Sequence, residues 1–163
     1  MKKLYCFISH APHFECCFPI LAAVHKRGNV KVVPIVNRRL KRTDQKLLTA
    51  FHKVGLIPVF RSRAYIELLS FFSMKRADAV LSYGDPLAMP KKIRMRDRCL
   101  VASKVPSIFA QHGLIQEGIN IDWTHLRPDW YSRRILWWED YNPEKAPFLS
   151  KDVGARVRKR RLA

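Results

Sequence analysis

The sequence predicts one α/β domain built on an open, doubly wound and mostly parallel sheet. Short aliphatic runs recur along the chain and alternate with stretches whose apolar residues return at helical spacing. The strand-like runs are apolar at successive positions rather than every second one, as expected of a parallel sheet covered on both faces. Gly28 and Gly55 stand just past two of the helical stretches, where a chain leaving a helix most readily takes a left-handed turn.

Residues 4–9 form an apolar run stopped by His10, Ala11 and Pro12, and read as the first strand. A polar loop through Cys17 follows, and residues 19–27 carry Ile20, Leu21, Ala23 and Val24. Pro19 suits a first helical turn and Gly28 the position past the end. Residues 30–36 are β-branched and apolar and make a second strand. Thr43 can then cap a helix whose stripe is Leu47, Leu48, Phe51 and Val54, ended by Gly55. Residues 56–60 read as a third strand, and Ala64, Tyr65, Leu68, Leu69 and Phe72 recur at helical spacing before a fourth strand at residues 79–82.

Between the fourth strand and a fifth at residues 107–110 lies a basic insertion with Lys91, Lys92, Arg94, Arg96 and Arg98, too polar for a core and read as surface. Residues 134–138 read as a sixth strand, and Asn142, Pro143 and Glu144 open a last helix with proline in its first turn. Strands joined by helical crossovers specify parallel pairing, hence a Rossmann-like domain over residues 1–150 with a basic tail or interdomain linker at 151–163.

Composition agrees. The chain has 163 residues, 48% hydrophobic and 11% aromatic, enough apolar surface for one cored domain and too short for two of ordinary size. Apolar runs such as residues 77–83 fall far short of the ~20 residues that span a bilayer. His10 and His13 follow the first apolar run without a small-residue cleavage pattern, so no signal peptide is expected and the chain is placed in the cytoplasm. Cys6, Cys16, Cys17 and Cys99 are expected to be reduced thiols, since a core of this size needs no disulfide staples.

The net charge of +18 predicts attraction to polyanions: nucleic acid, anionic lipid headgroups at the inner face of the membrane, or phosphorylated substrates. Taking away the tail's net +5 leaves +13, so the character belongs to the domain. The basic segments at residues 38–42, 91–98 and 156–161 are read either as solvated faces or as anion contacts. Nucleic acid is disfavoured among the partners, because the strands are aliphatic and offer no paired aromatics on which bases would stack.

In an open parallel sheet, ligands sit outside the carboxyl ends of the strands. Two constellations fall there: His10, His13 and Glu15 with Cys16 and Cys17 after the first strand, and Gln111, His112 and Gly113 after the fifth. His112 can serve as a general base beside a glycine that lets backbone approach a ligand, or it can fix its own turn through a loop carbonyl. His13 and Glu15 are either a solvated loop or take part in acceptor binding or base catalysis, with His13 the catalytic candidate of the two. Gly84 and Asp85 follow the fourth strand and either line the crevice or make a turn. The spacing of His10, His13, Cys16 and Cys17 lacks a matched second ligand pair, so no metal is expected. The first loop lacks Gly-x-Gly-x-x-Gly, so neither NAD nor FAD, nor any other cofactor, is expected.

The order of these parts resembles the N-terminal domain of GT-B-fold glycosyltransferases, and within them the bacterial surface-polysaccharide and CDP-glycerol glycerophosphotransferase-like group. The resemblance rests on His13 through Gly28 as first loop and helix, on Ser107 through Gly113 as a strand ending in His-Gly, and on Arg134 through Tyr141 as the next strand and helix start. It implies that His112 activates an acceptor hydroxyl and that His13 neighbours the acceptor; by their place at the crevice, His10, Glu15, Gln111, Gly113, Gly84 and Asp85 are the candidate acceptor-binding residues. It also implies that the donor nucleotide is held by a second domain, which would begin about where residues 151–163 stand. The expectation is therefore an N-terminal half, inactive alone, that becomes a transferase with a C-terminal donor-binding domain or separate chain. Its acceptor would be phosphate-rich or at an anionic membrane. The alternatives are a non-enzymatic basic protein that binds nucleic acid or another polyanion, and a self-sufficient flavodoxin-like domain that binds a mononucleotide.

Overall fold

A computed structural model describes residues 1–82 and 95–110 and Arg133 in full, and the backbone of residues 134–137 and 157–159. The strands are β1 (Lys2–Ile8), β2 (Val30–Asn37), β3 (Val59–Arg61), β4 (Ala79–Ser82), β5 (Ser107–Ala110), β6 (Arg134–Trp137) and β7 (Val157–Lys159). They form one sheet in the order β3-β2-β1-β4-β5-β6-β7. Every pairing between neighbours is parallel. The order reverses beside β1, which pairs with β2 on one edge (Cys6 opposite Pro34) and β4 on the other (Cys6 opposite Leu81).

Alternation along β1 explains why both faces are covered. Leu4, Cys6 and Ile8 point to one side, with Val32 and Val36 of β2 beside them. There they meet Cys16, Cys17 and Leu21 of helix α1 (Ala11–Lys26) and Leu47 and Phe51 of helix α3 (Gln45–Lys53). Phe7, Ile35 and Val80 point to the other side, against Ile66, Met74 and Leu100. Those last three belong to a π-helical turn (Tyr65–Leu69), helix α4 (Ser70–Met74) and helix α5 (Met95–Ser103). The expected doubly wound sheet is thus present.

Several boundaries differ from the sequence reading. Helix α1 starts at Ala11 rather than Pro19, so residues 11–17 are helical and not a loop. Pro12 takes the first-turn position that needs no N–H, while Pro19 lies inside the helix. Pro19 and Glu15 are both exposed, so the carbonyl left without its helical donor lies on the watered side.

The cap of α3 is Asp44, whose Oδ1 accepts the Leu47 N–H at 3.0 Å; Thr43 ends the short helix α2 (Leu40–Thr43) instead. β3 begins at Val59 because Leu56 is used by the helix end before it. With Gly55 at φ +70°, Leu56 N–H turns back to Phe51 O at 3.0 Å and the Leu56 side chain is buried.

The stripe expected after β3 is also displaced. Ile66, Ser70 and Met74 face the core, while Leu68, Leu69 and Phe72 are exposed. A π-turn takes more residues per turn than an α-helix, and it rotates the buried face away from the 65-69-72 ridge.

Arg96 corrects the surface reading of residues 91–98. It lies on α5 with only 7% of its side chain exposed, its guanidinium bonded to Asp97 Oδ1 at 2.7 and 3.0 Å. Positions two apart on a helix face different ways, so Arg98 is exposed where Arg96 is not. Within the stretch read as a tail, Val157–Lys159 pair with β6 as the seventh strand. The expected helix at Asn142 lies outside the described residues. No described helix is long and apolar enough to cross a membrane.

Candidate functional site

The carboxyl ends of β1 and β2 and the segment beyond β3, on one side of the point where sheet order reverses, carry a cleft of about 730 Å³. Ser9 and His10 enter it from the end of β1; Asn37, Arg39, Leu40 and Thr43 from the end of β2; Arg63 and Glu67 from beyond β3; and Met95 from the start of α5.

Asn37 organises this cleft. It is the last residue of β2 and only 5% exposed. Its Nδ2 donates to Ser9 O at 3.2 Å and its Oδ1 accepts from Arg39 N–H at 3.1 Å. One side chain therefore ties the β1–α1 connection to the β2–α2 turn, which sets the positions from which His10 and Arg39 reach the cleft. The strand below is extended by Arg38 N–H donating to Arg61 O at 2.8 Å.

His10 stands at the N-terminus of α1 with an extended backbone (φ −155°, ψ 169°), and its carbonyl accepts from His13 N–H at 3.1 Å. The His10 ring packs against the His13 ring at a centroid distance of 3.6 Å, with the ring planes tilted by 51°. His13 itself is 1% exposed, and its Nδ1 accepts from Ser9 N–H at 3.3 Å. That bond uses the Nδ1 lone pair and leaves the ring proton to Nε2. His13 is thus the support on which His10 and Ser9 rest. Ser9 Oγ is buried with no hydrogen-bond partner among the described residues.

The chemical character follows. Arg39 and Arg63 are exposed guanidiniums suited to a phosphate or carboxylate, and Glu67 is a half-buried carboxylate suited to hydroxyls. His10 adds an imidazole to the same lining.

The structure brings His10 to the cleft and places His13 beneath it. Glu15, on the exposed side of α1, is not among the lining residues. Gln111, His112, Gly113, Gly84, Asp85, Lys91, Lys92 and Arg94 lie outside the described residues. Asn37, Arg63 and Glu67 are the residues that sequence reasoning missed. The available signal was the rule that polar residues just past an aliphatic strand lie at the crevice, and it applied to Asn37 as much as to His10.

The thiols belong to the core. Cys6, Cys16 and Cys17 are buried and stand outside any disulfide. A hydrogen bond with Cys17 and burial push the Cys6 thiol well above its usual 9.0, with Arg96 opposing weakly, so it stays protonated and unreactive at neutral pH. No group of three or more His, Cys, Asp or Glu side chains that could hold a metal ion occurs among the described residues.

No protein-family model and no curated protein matches the chain. Among solved structures, the chain is similar to the S. aureus MnaA–UDP co-structure, with 14% identity and a TM-score of 0.55. That similarity covers 96% of this chain and 43% of the other, so this chain spans less than half of that protein's length. A Listeria monocytogenes protein assigned as a UDP-N-acetylglucosamine 2-epimerase is similar over 66% of this chain and 30% of its own, with 12% identity and a TM-score of 0.41. At 14% identity the likeness to the S. aureus structure is one of fold, and it agrees with the Rossmann-like sheet described above.

Proposed function

We propose that this chain is a GT-B-like domain that binds the acceptor in a two-domain enzyme acting on nucleotide-activated sugars or glycerol phosphate. The observation that carries the reading is the cleft at the ends of β1, β2 and β3, where His10, Arg39, Arg63 and Glu67 meet beside the reversal of strand order. The likeness in fold to the S. aureus MnaA–UDP co-structure, a chain more than twice as long, fits this chain as one domain of a nucleotide-sugar enzyme.

In this reading Arg39 and Arg63 hold a phosphate of the acceptor and Glu67 accepts hydrogen bonds from its hydroxyls. His112, by resemblance, takes the proton of the attacking hydroxyl. That oxygen then bonds to the activated sugar carbon or to phosphorus, and the nucleotide diphosphate or monophosphate leaves. A glycerophosphotransferase of teichoic-acid-like or surface-polysaccharide synthesis is the specific form that the sequence resemblance favours. The surplus of 18 positive charges suits such a phosphate-rich acceptor.

Calorimetric titration with glycerol-phosphate oligomers, neutral glycans of equal length and single-stranded DNA of equal charge tests the assignment. The phosphorylated acceptor should bind at least tenfold tighter than the neutral one, and Arg39→Ala with Arg63→Ala should remove on the order of tenfold. Equal affinity for the DNA would support the polyanion-binding alternative. Unchanged acceptor binding in the double variant would remove the cleft from the function.

A further inference from the structure

The segment after β3 is amphipathic in an unusual sense. Its inner side is Ile66, Ser70 and Met74, at 0, 0 and 1% exposure. Its outer side is apolar as well: Leu68, Leu69 and Phe72 are 57, 48 and 65% exposed, three of the exposed large hydrophobics among the described residues, all within five positions. Cations bracket this ridge. Arg61 and Arg63 precede it, and Lys75 and Arg76 follow, all exposed. Arg61 lies over the Tyr65 ring at 5.4 Å and Lys75 Nζ over the Phe71 ring at 4.8 Å, so aromatic side chains of the same segment hold two of these charges. The one acid between residues 61 and 76 is Glu67, which turns into the cleft.

We propose that this ridge seats the protein on an anionic lipid surface, with Leu68, Leu69 and Phe72 entering the headgroup layer and Arg61, Lys75 and Arg76 contacting lipid phosphates. A protruding helical ridge inserts into a soft layer; a folded protein partner would need a matching groove. The aliphatic stems of Lys75 and Arg76 can lie along the apolar layer while their charges reach its surface. The cations that bracket the ridge would lie at such a surface, and the net charge of +18 adds attraction to an extended anionic layer. Because Arg63 and Glu67 line the cleft, a protein seated this way holds the cleft mouth beside the headgroups. The surface stands whether or not the cleft serves a transferase.

Co-sedimentation of the full chain with phosphatidylcholine vesicles, with and without phosphatidylglycerol, tests it. Binding should require the anionic lipid and weaken with salt. Leu68→Ser with Phe72→Ser should lower it about tenfold or more, and Lys75→Ala with Arg76→Ala roughly tenfold, whereas Ile57→Ser, at another exposed apolar site, should leave it unchanged. Should the double serine variant fail to fold, Leu68→Ala supplies the same comparison with a smaller loss. Absence of vesicle binding, or wild-type binding by the folded Leu68 and Phe72 variant, overturns the proposal. Acceptor affinity in solution is read separately, so a failed ridge and a failed cleft are distinguishable.

Discussion

Asn37 shows how one buried amide can set the geometry of a cleft. Both of its polar atoms are used, one on each of two connections that are 28 and 2 residues away in sequence. Asn37→Asp keeps the shape and the acceptor for Arg39 N–H but places an oxygen where Nδ2 now donates to Ser9 O. The expected cost is about 1–3 kcal/mol at neutral pH, since a part-buried carbonyl loses its donor and meets a carboxylate. The new carboxyl would have its pKa raised in the folded state, so the loss should shrink at acid pH, where a protonated carboxyl can donate to Ser9 O. Urea melts at neutral and acid pH, compared with wild type, measure this, and an equal deficit at both would reject the account. Nothing in the spacing of the sequence marked Asn37 for this role. An asparagine ending an aliphatic strand reads as the start of a turn, and only the tertiary placement of Ser9 O turns it into a bridge.

At the scale of elements, legibility followed how local the deciding interaction is. β4 and β5 were found residue for residue, because a short aliphatic run between polar flanks has few alternatives. Gly28 and Gly55, at φ +71° and +70°, end their helices as expected. The misplaced boundaries were those settled by packing. Pro19 looked like a beginning, yet burial of Cys16 and Cys17 draws the helix back to Ala11; Leu56 looked like strand, yet the preceding helix end holds it.

Helix α5 ends differently from the glycine-terminated helices. Lys104 has φ 56° where they have glycine, and its N–H donates to Val101 O at 3.1 Å. A β-carbon in the left-handed region costs roughly 1–2 kcal/mol. Lys104→Gly should therefore stabilise the protein, by up to about 1 kcal/mol after the greater entropy of an unfolded glycine is deducted. A chemical denaturation midpoint that falls instead would show that the lysine side chain contributes more than its backbone costs.

For the whole molecule, charge balance is the property most legible in the sequence and the one with the widest consequence. Even with each of the 13 acids matched to one cation, 18 of the 31 Lys and Arg residues would remain uncompensated. Rossmann-like order and the crevice at the strand ends were likewise readable, whereas the residues that converge there from β2 and beyond β3 needed the sheet to be assembled first. Like charges held on one compact body repel more than on an unfolded chain, so screening should favour the folded state. Raising NaCl from ~0.01 M to ~0.1 M shortens the screening length from ~30 Å to ~10 Å. The melting temperature should rise by several degrees, at about 2–4 °C per kcal/mol for a chain of this size. Sulfate at matched ionic strength should raise it further if the Arg39 and Arg63 cleft binds an oxyanion, because a ligand that prefers the folded state stabilises it. Arg39→Ala with Arg63→Ala should then abolish most of the sulfate increment and keep the NaCl response. A melting temperature that falls with NaCl would mean that attractive pairs outweigh repulsion despite the surplus, and a sulfate increment that survives both substitutions would place oxyanion binding elsewhere on the molecule.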